Sequence, residues 1–314
     1  MLNLVVKKKV KEAEDIVRFE LGPQAGESLP TFTPGSHIDV HLPNGLTRQY
    51  SLCNPADGRN IYAIAVLRET QSRGGSSTLH DTIGEDSLVQ VGLPRNLFEL
   101  EPGAQRSLLF AGGIGITPIL CMAQHLAQEG MDFELHYCCR GSERAAFLDV
   151  LRSKPFEGKV HLHFDDNSKL NAAQVLAHPS SNDHLYVCGP AGFMQHVLDT
   201  ASASGWADRQ LHREHFAPVQ SDRHTDMAFE VELASTGTTY VIPADRSVFE
   251  VLSEAGIDIP VSCEQGICGT CITRVVSGIP EHRDQFFTAA EQARNDQFTP
   301  CCSRARSTRL VLDL

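Results

Sequence analysis

Ten cysteines stand at positions 53, 121, 138, 139, 188, 263, 268, 271, 301 and 302, and five of them fall in the last 52 residues of a 314-residue chain. Their spacing is the tightest restriction on the fold. Cys263, Cys268 and Cys271 follow a C-x4-C-x2-C pattern, with Cys301 further on. Such a loop must wrap four thiolates around a small inorganic centre, and this is the plant-type [2Fe–2S] spacing. Gly266 and Gly269 let the backbone approach closely, so loop N–H groups can donate to sulfur and help set the potential. A structural zinc site is the plain rival. It usually comes as two short C-x2-C knuckles, and only one pair here has that spacing. Disulfides are the other rival. No apolar segment follows the basic N-terminus as a secretory signal requires, so a reducing cytoplasm is expected and disulfides are disfavoured there. Cys301 leaves 29 residues after Cys271, which suits the fourth ligand. Cys302 is expected to point the other way along a strand and to pack. Cys53, Cys121, Cys138 and Cys139 read as small buried hydrophobes.

The rest of the composition narrows the function. A chain this long needs no disulfide staples and has room for two or three domains. With 41% hydrophobic and 21% charged residues it reads as globular. No run approaches the ~18 apolar residues of a membrane helix. Lys and Arg total 27 against 39 Asp and Glu, a net charge of −12. That balance argues against nucleic-acid binding, which needs clustered basic residues. The one basic cluster, Lys7, Lys8, Lys9 and Lys11, is expected to protect an edge strand.

Three blocks differ in hydrophobic period. Residues 1–101 alternate, as in Ser36-His-Ile-Asp-Val-His-Leu42 and Ile61-Tyr-Ala-Ile-Ala-Val-Leu67, between Gly, Pro and Asn turns. This predicts a short-stranded antiparallel barrel or sandwich, with a helix near Ser77 carrying Leu79, Ile83 and Leu88. Residues 102–221 alternate strand and helix patterns, which predicts a parallel α/β sheet. Its strands are placed at 106–111, 133–138, 160–164 and 185–188, with helices after Thr117 as N-cap, over 144–151 and over 191–202. A polar stretch over 217–226 marks a boundary. Residues 226–314 open with a hairpin pattern at 229–233 and 239–242, then a helix over 247–255.

Two glycine turns follow strands of the middle block. Gly112-Gly-Ile-Gly-Ile-Thr-Pro118 precedes a helix, where bare N–H groups and the helix dipole favour a pyrophosphate. It departs from G-x-G-x-x-G, since Pro118 stands at the third glycine, and a purely structural turn is the alternative. Cys188-Gly-Pro-Ala-Gly192 is the second turn, and two such turns at strand C-termini define a ligand crevice. In the first block, Arg48-Gln-Tyr-Ser51, Arg68 and Arg73-Gly-Gly-Ser-Ser77 suit an aromatic phosphate ester such as a flavin mononucleotide.

Taken in this order, Arg48-x-Tyr-Ser51, the Gly112 turn, Cys188-Gly-Pro190 and the C-terminal cysteine loop resemble one family over essentially the whole chain. The sequence is similar to reductase components of the phthalate dioxygenase reductase type, within the ferredoxin–NADP reductase superfamily, and most of all to the vanillate O-demethylase reductase group. The resemblance implies a multidomain α/β and all-β chain: an antiparallel flavin-binding β-barrel at 1–101, a parallel α/β NAD-binding domain at 102–221, and a β-grasp plant-type ferredoxin domain at 226–314. It implies FMN held by Arg48, Tyr50, Ser51, Ala65, Val66, Arg68, Gly75, Ser76 and Ser77. Gly113, Gly115 and Thr117 match the nicotinamide-nucleotide turn, and Cys188 and Gly189 the motif that sets nicotinamide over flavin. Glu214 and Phe216 match a segment at the edge of that site. Thr117, Cys188 and Phe216 are thus the residues expected nearest hydride transfer, with Cys188 a positioning contact rather than a nucleophile.

Electron counting supports this reading. NAD(P)H gives up two electrons as hydride, a [2Fe–2S] cluster takes one, and flavin is the adapter between them. Plant-type clusters lie near roughly −400 mV, so the flavin must be tuned to reach them. Arg140 and Arg144 after the second strand are placed to take a 2′-phosphate, while Asp165 and Asp166 after the third repel one. The resemblance favours NADH. Histidines and carboxylates elsewhere read as solvated faces or core hydrogen-bonders. Residues 226–314 hold 13 acidic and 7 basic side chains, a face suited to transient docking on a basic partner. By resemblance that partner is a Rieske-type terminal oxygenase acting on a small aromatic or quaternary-amine compound. A reductase for a non-Rieske acceptor and a flavin and iron–sulfur redox sensor are the alternatives.

Overall fold

The computed structural model describes residues 1–69, 74–166, 168–216 and 226–314. Arg73 and most of the polar stretch at 217–226 therefore lie outside the described residues. The chain separates into two units, Met1–Glu214 and His215–Leu314.

The first unit begins with strands β1 (Leu2–Ala13), β2 (Ile16–Pro23), β3 (Ser36–His41), β4 (Thr47–Ser51) and β5 (Tyr62–Leu67). Helix α1 (Gly75–Thr82) and strands β6 (Leu88–Val91) and β7 (Arg95–Asn96) follow. The sheet order is β4-β3-β6-β1-β2-β5, antiparallel throughout, with β7 paired to β3. A bridge from Leu52 to Ile64 joins the two ends and closes the barrel. Its interior is apolar and dry, with Val6, Phe19, Ile38, Val40, Leu52, Ile64 and Val91 essentially inaccessible to solvent. Closure removes the exposed sheet edges that invite aggregation.

Two expectations are refined here. Strand β1 lies inside the sheet, paired on one side with β2 and over Leu2–Val5 with β6. The lysines lie beyond that pairing, on the stretch of β1 that has β2 as its strand neighbour on one side only. Lys9 also sends its ammonium to the carbonyls of His80 and Ile83 at 2.7 and 2.6 Å, tying down the C-terminal end of α1. That is where a cation is favoured by the helix dipole. Leu88 belongs to β6 rather than to the helix stripe and is 56% exposed.

The unit continues with β8 (Arg106–Gly112), α2 (Ile116–Gln128), β9 (Phe133–Cys139), α3 (Leu148–Leu151) and β10 (Val160–Phe164). Then come α4 (Ala172–Val175), β11 (Asp183–Cys188), α5 (Ala191–Ala203) and β12 (Leu211–Glu214). The strands pair in parallel in the order β10-β9-β8-β11-β12. Near-continuous apolar strands such as Leu108-Leu-Phe-Ala111 are buried on both faces, as a covered parallel sheet requires. Leu109, Leu135, Tyr137 and Cys188 face α2 and share one core with barrel residues Cys53, Ala63 and Ala65. Leu108, Phe110, Leu185 and Val187 face α4 and α5. The helix expected over 144–151 shrinks to a single 3-10 turn at Ser142–Arg144 and the short α3. Phe147, left-handed at φ 62°, breaks the segment while its ring is buried.

The second unit holds β13 (Phe229–Leu233), β14 (Thr239–Ile242), α6 (Val248–Glu254), β15 (Thr273–Ser277) and β16 (Pro280–Glu281). It ends with α7 (Ala289–Gln292), β17 (Gln297–Phe298), β18 (Arg304–Ala305) and β19 (Arg309–Leu312). The mixed sheet runs β14-β13-β19-β15-β17, with β13 parallel to β19. Ser247 caps α6, accepting from the Glu250 amide at 3.2 Å while the Glu250 carboxylate takes the Ser247 amide at 2.7 Å. Val248 and Leu252 of that helix bury against Val231, Ile242 and Leu310 of the sheet. This one-helix-on-mixed-sheet arrangement is the β-grasp. Among the described residues no helix is long and apolar enough to cross a membrane.

Candidate functional site

The cysteine loop lies between α6 and β15. Three residues in it take left-handed backbone angles: Glu264 at φ 55°, Gly266 at 71° and Gly269 at 69°. These reversals curl six residues into a cup, and glycine carries two of them at no steric cost. A methyl group at Gly269 would lie 2.4 Å from the Phe286 ring, and one at Gly266 2.4 Å from the Cys302 sulfur. The segment after β16 closes over the cup, with the Gln285 amide donating to the Gly266 carbonyl at 2.9 Å.

Inside, the thiols form two pairs. Cys271 and Cys301 sulfurs stand 3.3 Å apart, and Cys263 donates to Cys268. Cys263, Cys268 and Cys271 are all buried. Through the bond from Cys263, the Cys268 thiol is pulled down to about 5, and Cys301 lowers Cys271 in the same way. Cys263 and Cys301, as the donors of the two pairs, are raised in turn. Four crowded sulfurs in two pairs fit a binuclear cluster, two for each iron. The Gln265 amide already donates to the Cys263 sulfur at 3.3 Å. Cys302 does not lie on a strand as expected. The chain turns after Pro300, and the Cys302 sulfur sits 3.2 Å from the Thr299 hydroxyl, beneath Gly266.

In the first unit the two glycine turns pack on one another. The turn at Gly113–Gly115 is one loop of 3-10 helix that runs into α2, whose N-cap is Gly115. A methyl group at Gly115 would fall 2.2 Å from the Cys188 carbonyl oxygen, so glycine is needed there for turn-on-turn contact. Gly113, left-handed at φ 52°, has open space where its side chain would be. Thr117 is not the N-cap. It lies within α2, 1% exposed, and its hydroxyl donates to the Ile114 carbonyl at 3.1 Å.

Cys188 ends β11 fully buried, and burial drives its thiol far above the ordinary range. Its register partner on β12 is Glu214. Across from these, the Ser51 hydroxyl at the end of β4 donates to Glu214 Oε2 at 3.1 Å. Burial raises the Glu214 carboxyl to about 8, partly offset by that bond. The barrel rim and the crevice of the parallel sheet thus meet at Ser51, Glu214 and Cys188. Gly189 follows Cys188 and packs on Gly112.

The remaining barrel residues surround the start of α1. Arg48 lies so close to Gly75 that a methyl there would meet its Nε at 2.8 Å. Ser77 and Thr78 hydroxyls donate to the Gly74 carbonyl, and the Ser76 hydroxyl accepts from the Glu69 amide. An arginine across an eight-residue helix that opens on small hydroxyl residues is an anion-binding arrangement. Tyr50 lies half-buried on β4, its phenol raised by burial. Ala65 and Val66 are buried in β5. Arg68 forms a two-toothed ion pair with Asp81 of α1 at 2.7 and 2.8 Å. Arg140 and Asp165 are exposed just past β9 and β10. Arg144, expected beside them, instead pairs with Glu14 at 3.2 Å. Phe216 is 40% exposed. The Glu214–Ser51 contact was not legible beforehand, since 163 residues separate the partners.

A barrel and a parallel α/β sheet sharing one core, plus a four-thiol β-grasp unit, define an electron-transfer oxidoreductase of the ferredoxin–NADP reductase-like fold. Residues 231–306 match the Fer2 family, the 2Fe-2S iron-sulfur cluster binding domain. A vanillate O-demethylase oxidoreductase of Pseudomonas sp. (strain HR199 / DSM 7063) is 56% identical over 317 residues, covering all of both chains. The solved structure of a phthalate dioxygenase reductase, described as modular for electron transfer from pyridine nucleotides to [2Fe-2S], superposes at TM-score 0.78. It is 40% identical and covers 100% of this chain and 98% of that one. An intact type IV self-sufficient cytochrome P450 monooxygenase superposes at TM-score 0.86 with 36% identity, covering 100% of this chain and 41% of that one. The chain belongs to the phthalate dioxygenase reductase-type family of oxygenase reductases.

Proposed function

We propose that this chain is the cytoplasmic reductase component of a Rieske-type terminal oxygenase that demethylates a small methoxylated aromatic acid of the vanillate class. The 56% identity over the full length to a vanillate O-demethylase oxidoreductase carries this reading. When bound, FMN accepts hydride from NADH and the [2Fe–2S] cluster relays single electrons outward. The domain division at 1–101, 102–221 and 226–314 assigns one step to each part.

The chain's own residues supply binding and orientation. Arg48, with the first turn of α1 at Gly75, Ser76 and Ser77, receives the flavin phosphate, and Arg68 exchanges its Asp81 partner for it. Tyr50, Ala65 and Val66 line the ring, and Ser51, whose hydroxyl donates to Glu214, belongs to the same flavin motif as Arg48. Gly113 leaves room for the nucleotide pyrophosphate at the N-terminus of α2. Thr117, Cys188 and Gly189 form the floor against which nicotinamide rests. The Cys188 thiol lies fully buried beneath that floor and is far too weakly acidic to attack. Arg140 and Asp165 border the adenosine ribose, where Asp165 disfavours a 2′-phosphate. Cys263, Cys268, Cys271 and Cys301 hold the cluster.

Anaerobic titration with NADH, then NADPH, tests the internal chain. Bleaching of flavin and cluster absorption with a reduced [2Fe–2S] resonance supports it, and a cluster that NADH cannot reduce refutes it. Formaldehyde release from vanillate on addition of a Rieske oxygenase tests the acceptor. The match to a self-sufficient P450 favours one second reading, a reductase for a non-Rieske acceptor. Electron delivery to a P450 haem, with none to the Rieske protein, would select it.

A further inference from the structure

A histidine cluster on the parallel sheet has no part in the reaction above. Register pairs His136 of β9 with His161 of the edge strand β10. Glu134, two residues before His136, projects on the same face, which is the face carrying α4 and α5. Among the described residues this is the one group of three His, Cys, Asp or Glu side chains whose ligand atoms all lie within 4.8 Å of one another.

The hydrogen-bond chain fixes the tautomers. The Ser168 carbonyl can only accept, so His163 Nδ1, 3.0 Å away, carries a proton. In a neutral ring His163 Nε2 is then bare and accepts from His136 Nδ1 at 3.0 Å. That leaves His136 Nε2 without a proton. His136 is 3% exposed, and its Nε2 is a buried nitrogen with no hydrogen-bond partner. It faces Glu134 Oε1 at 3.4 Å. A buried lone pair 3.4 Å from a carboxylate oxygen is unfavourable unless a cation, a proton or a metal ion, is shared by the two. Arg106 does not fill that role, since it holds the other oxygen, Oε2, at 2.5 Å. His161 Nε2 stands 3.1 Å from the same Oε1.

We propose that Glu134 Oε1, His136 Nε2 and His161 Nε2 bind a divalent transition metal of the zinc class, with a fourth position open to water. Ligand atoms about 2.0–2.1 Å from zinc in a tetrahedron stand about 3.3 Å apart, close to the 3.1 and 3.4 Å found here. The outer shell is that of a metal-binding histidine, whose second nitrogen donates to a fixed acceptor. Here the relay runs from His136 through His163 to the Ser168 carbonyl. His161 is 43% exposed, which gives the ion an entry path. Its ring stacks on His136 with centroids 4.8 Å apart, so it turns to bring its nitrogen in plane on binding. The ion would pin β10 to β9.

Calorimetric titration of the oxidised holoprotein with Zn2+, with flavin and cluster absorption monitored throughout, tests this. One equivalent should bind at a Kd of about 10 μM or below, and Glu134→Gln and His161→Phe should each weaken it at least about tenfold. The phenylalanine keeps the ring stack, and intact flavin and cluster spectra certify folding. Cu2+ added to the oxidised protein should show nitrogen hyperfine coupling from two imidazoles, reduced to one in His161→Phe. No binding below about 100 μM, or binding equal in the parent and both variants, would overturn the assignment. Neither result depends on NADH oxidation or on any oxygenase.

Discussion

Gly115→Ala isolates the contact that builds the nucleotide crevice. The backbone of Gly115 is helical, φ −61°, so alanine introduces no backbone strain. All of its cost is steric. The new methyl would sit 2.2 Å from the Cys188 carbonyl oxygen, against 3.4 Å for ordinary contact, so about 1.2 Å must be opened between two turns. Neither turn can retreat cheaply, because β8 and β11 are paired along their length at the centre of the sheet. Overpacking of this kind costs about 1–3 kcal/mol, or about 3–10 °C in Tm for a unit of this size. A displacement near 1 Å at a reacting centre costs about 10²-fold, so flavin reduction by NADH should slow by about that factor. Cluster reduction by dithionite should be unchanged. Gly113→Ala is the contrast. It carries left-handed strain of about 1–2 kcal/mol, so its Tm should fall by a similar amount, but it meets no neighbouring atom, so its functional defect should fall on NADH affinity rather than on the reduction rate at saturating NADH. Stopped-flow reduction and differential scanning calorimetry of both variants decide the matter. A Gly115→Ala protein with the parent's Tm and reduction rate would refute the reasoning.

Cys301→Ser should abolish the reduced-cluster resonance and halve or worse the bound iron, while Cys302→Ser should retain both, as read by electron paramagnetic resonance and iron analysis. Arg48→Ala removes a charge-assisted contact worth about 1.5–3 kcal/mol, so FMN should bind roughly 10- to 150-fold more weakly, measured by recovery of free-flavin fluorescence. Glu214, raised to about 8 by burial in the ligand-free protein, binds more protons folded than unfolded between pH 4.5 and 8. Its contribution to stability is therefore complete below about pH 4.5 and is lost as pH rises through about 8. Glu214→Gln should flatten the fall in apoprotein Tm across that window, and an identical pH profile would show that the carboxyl is not buried as described.

Much of this architecture is written in local patterns. The switch from alternating strands to strand–helix repeats, and the spacing of Cys263, Cys268, Cys271 and Cys301, identify a barrel, a parallel sheet and a cluster loop, because period and ligand interval are properties of neighbouring residues. The glycines of the Gly112 turn were legible as a turn. That Gly115 serves packing on Cys188 while Gly113 leaves space for a ligand depends on a second turn more than 70 residues away. Sequence also misplaced Leu88 and overextended the helix after β9, since strand order and the burial of Phe147 are settled by long-range packing. Histidines read one at a time look like ordinary polar residues. Only the parallel register of β9 and β10 sets His161 beside His136, and only the Ser168 carbonyl decides which nitrogen of His136 is left bare. Spacing along the chain thus determined which chemistry the protein can hold, and tertiary structure decided which donors face one another, because side-chain convergence is a property of register and not of sequence distance.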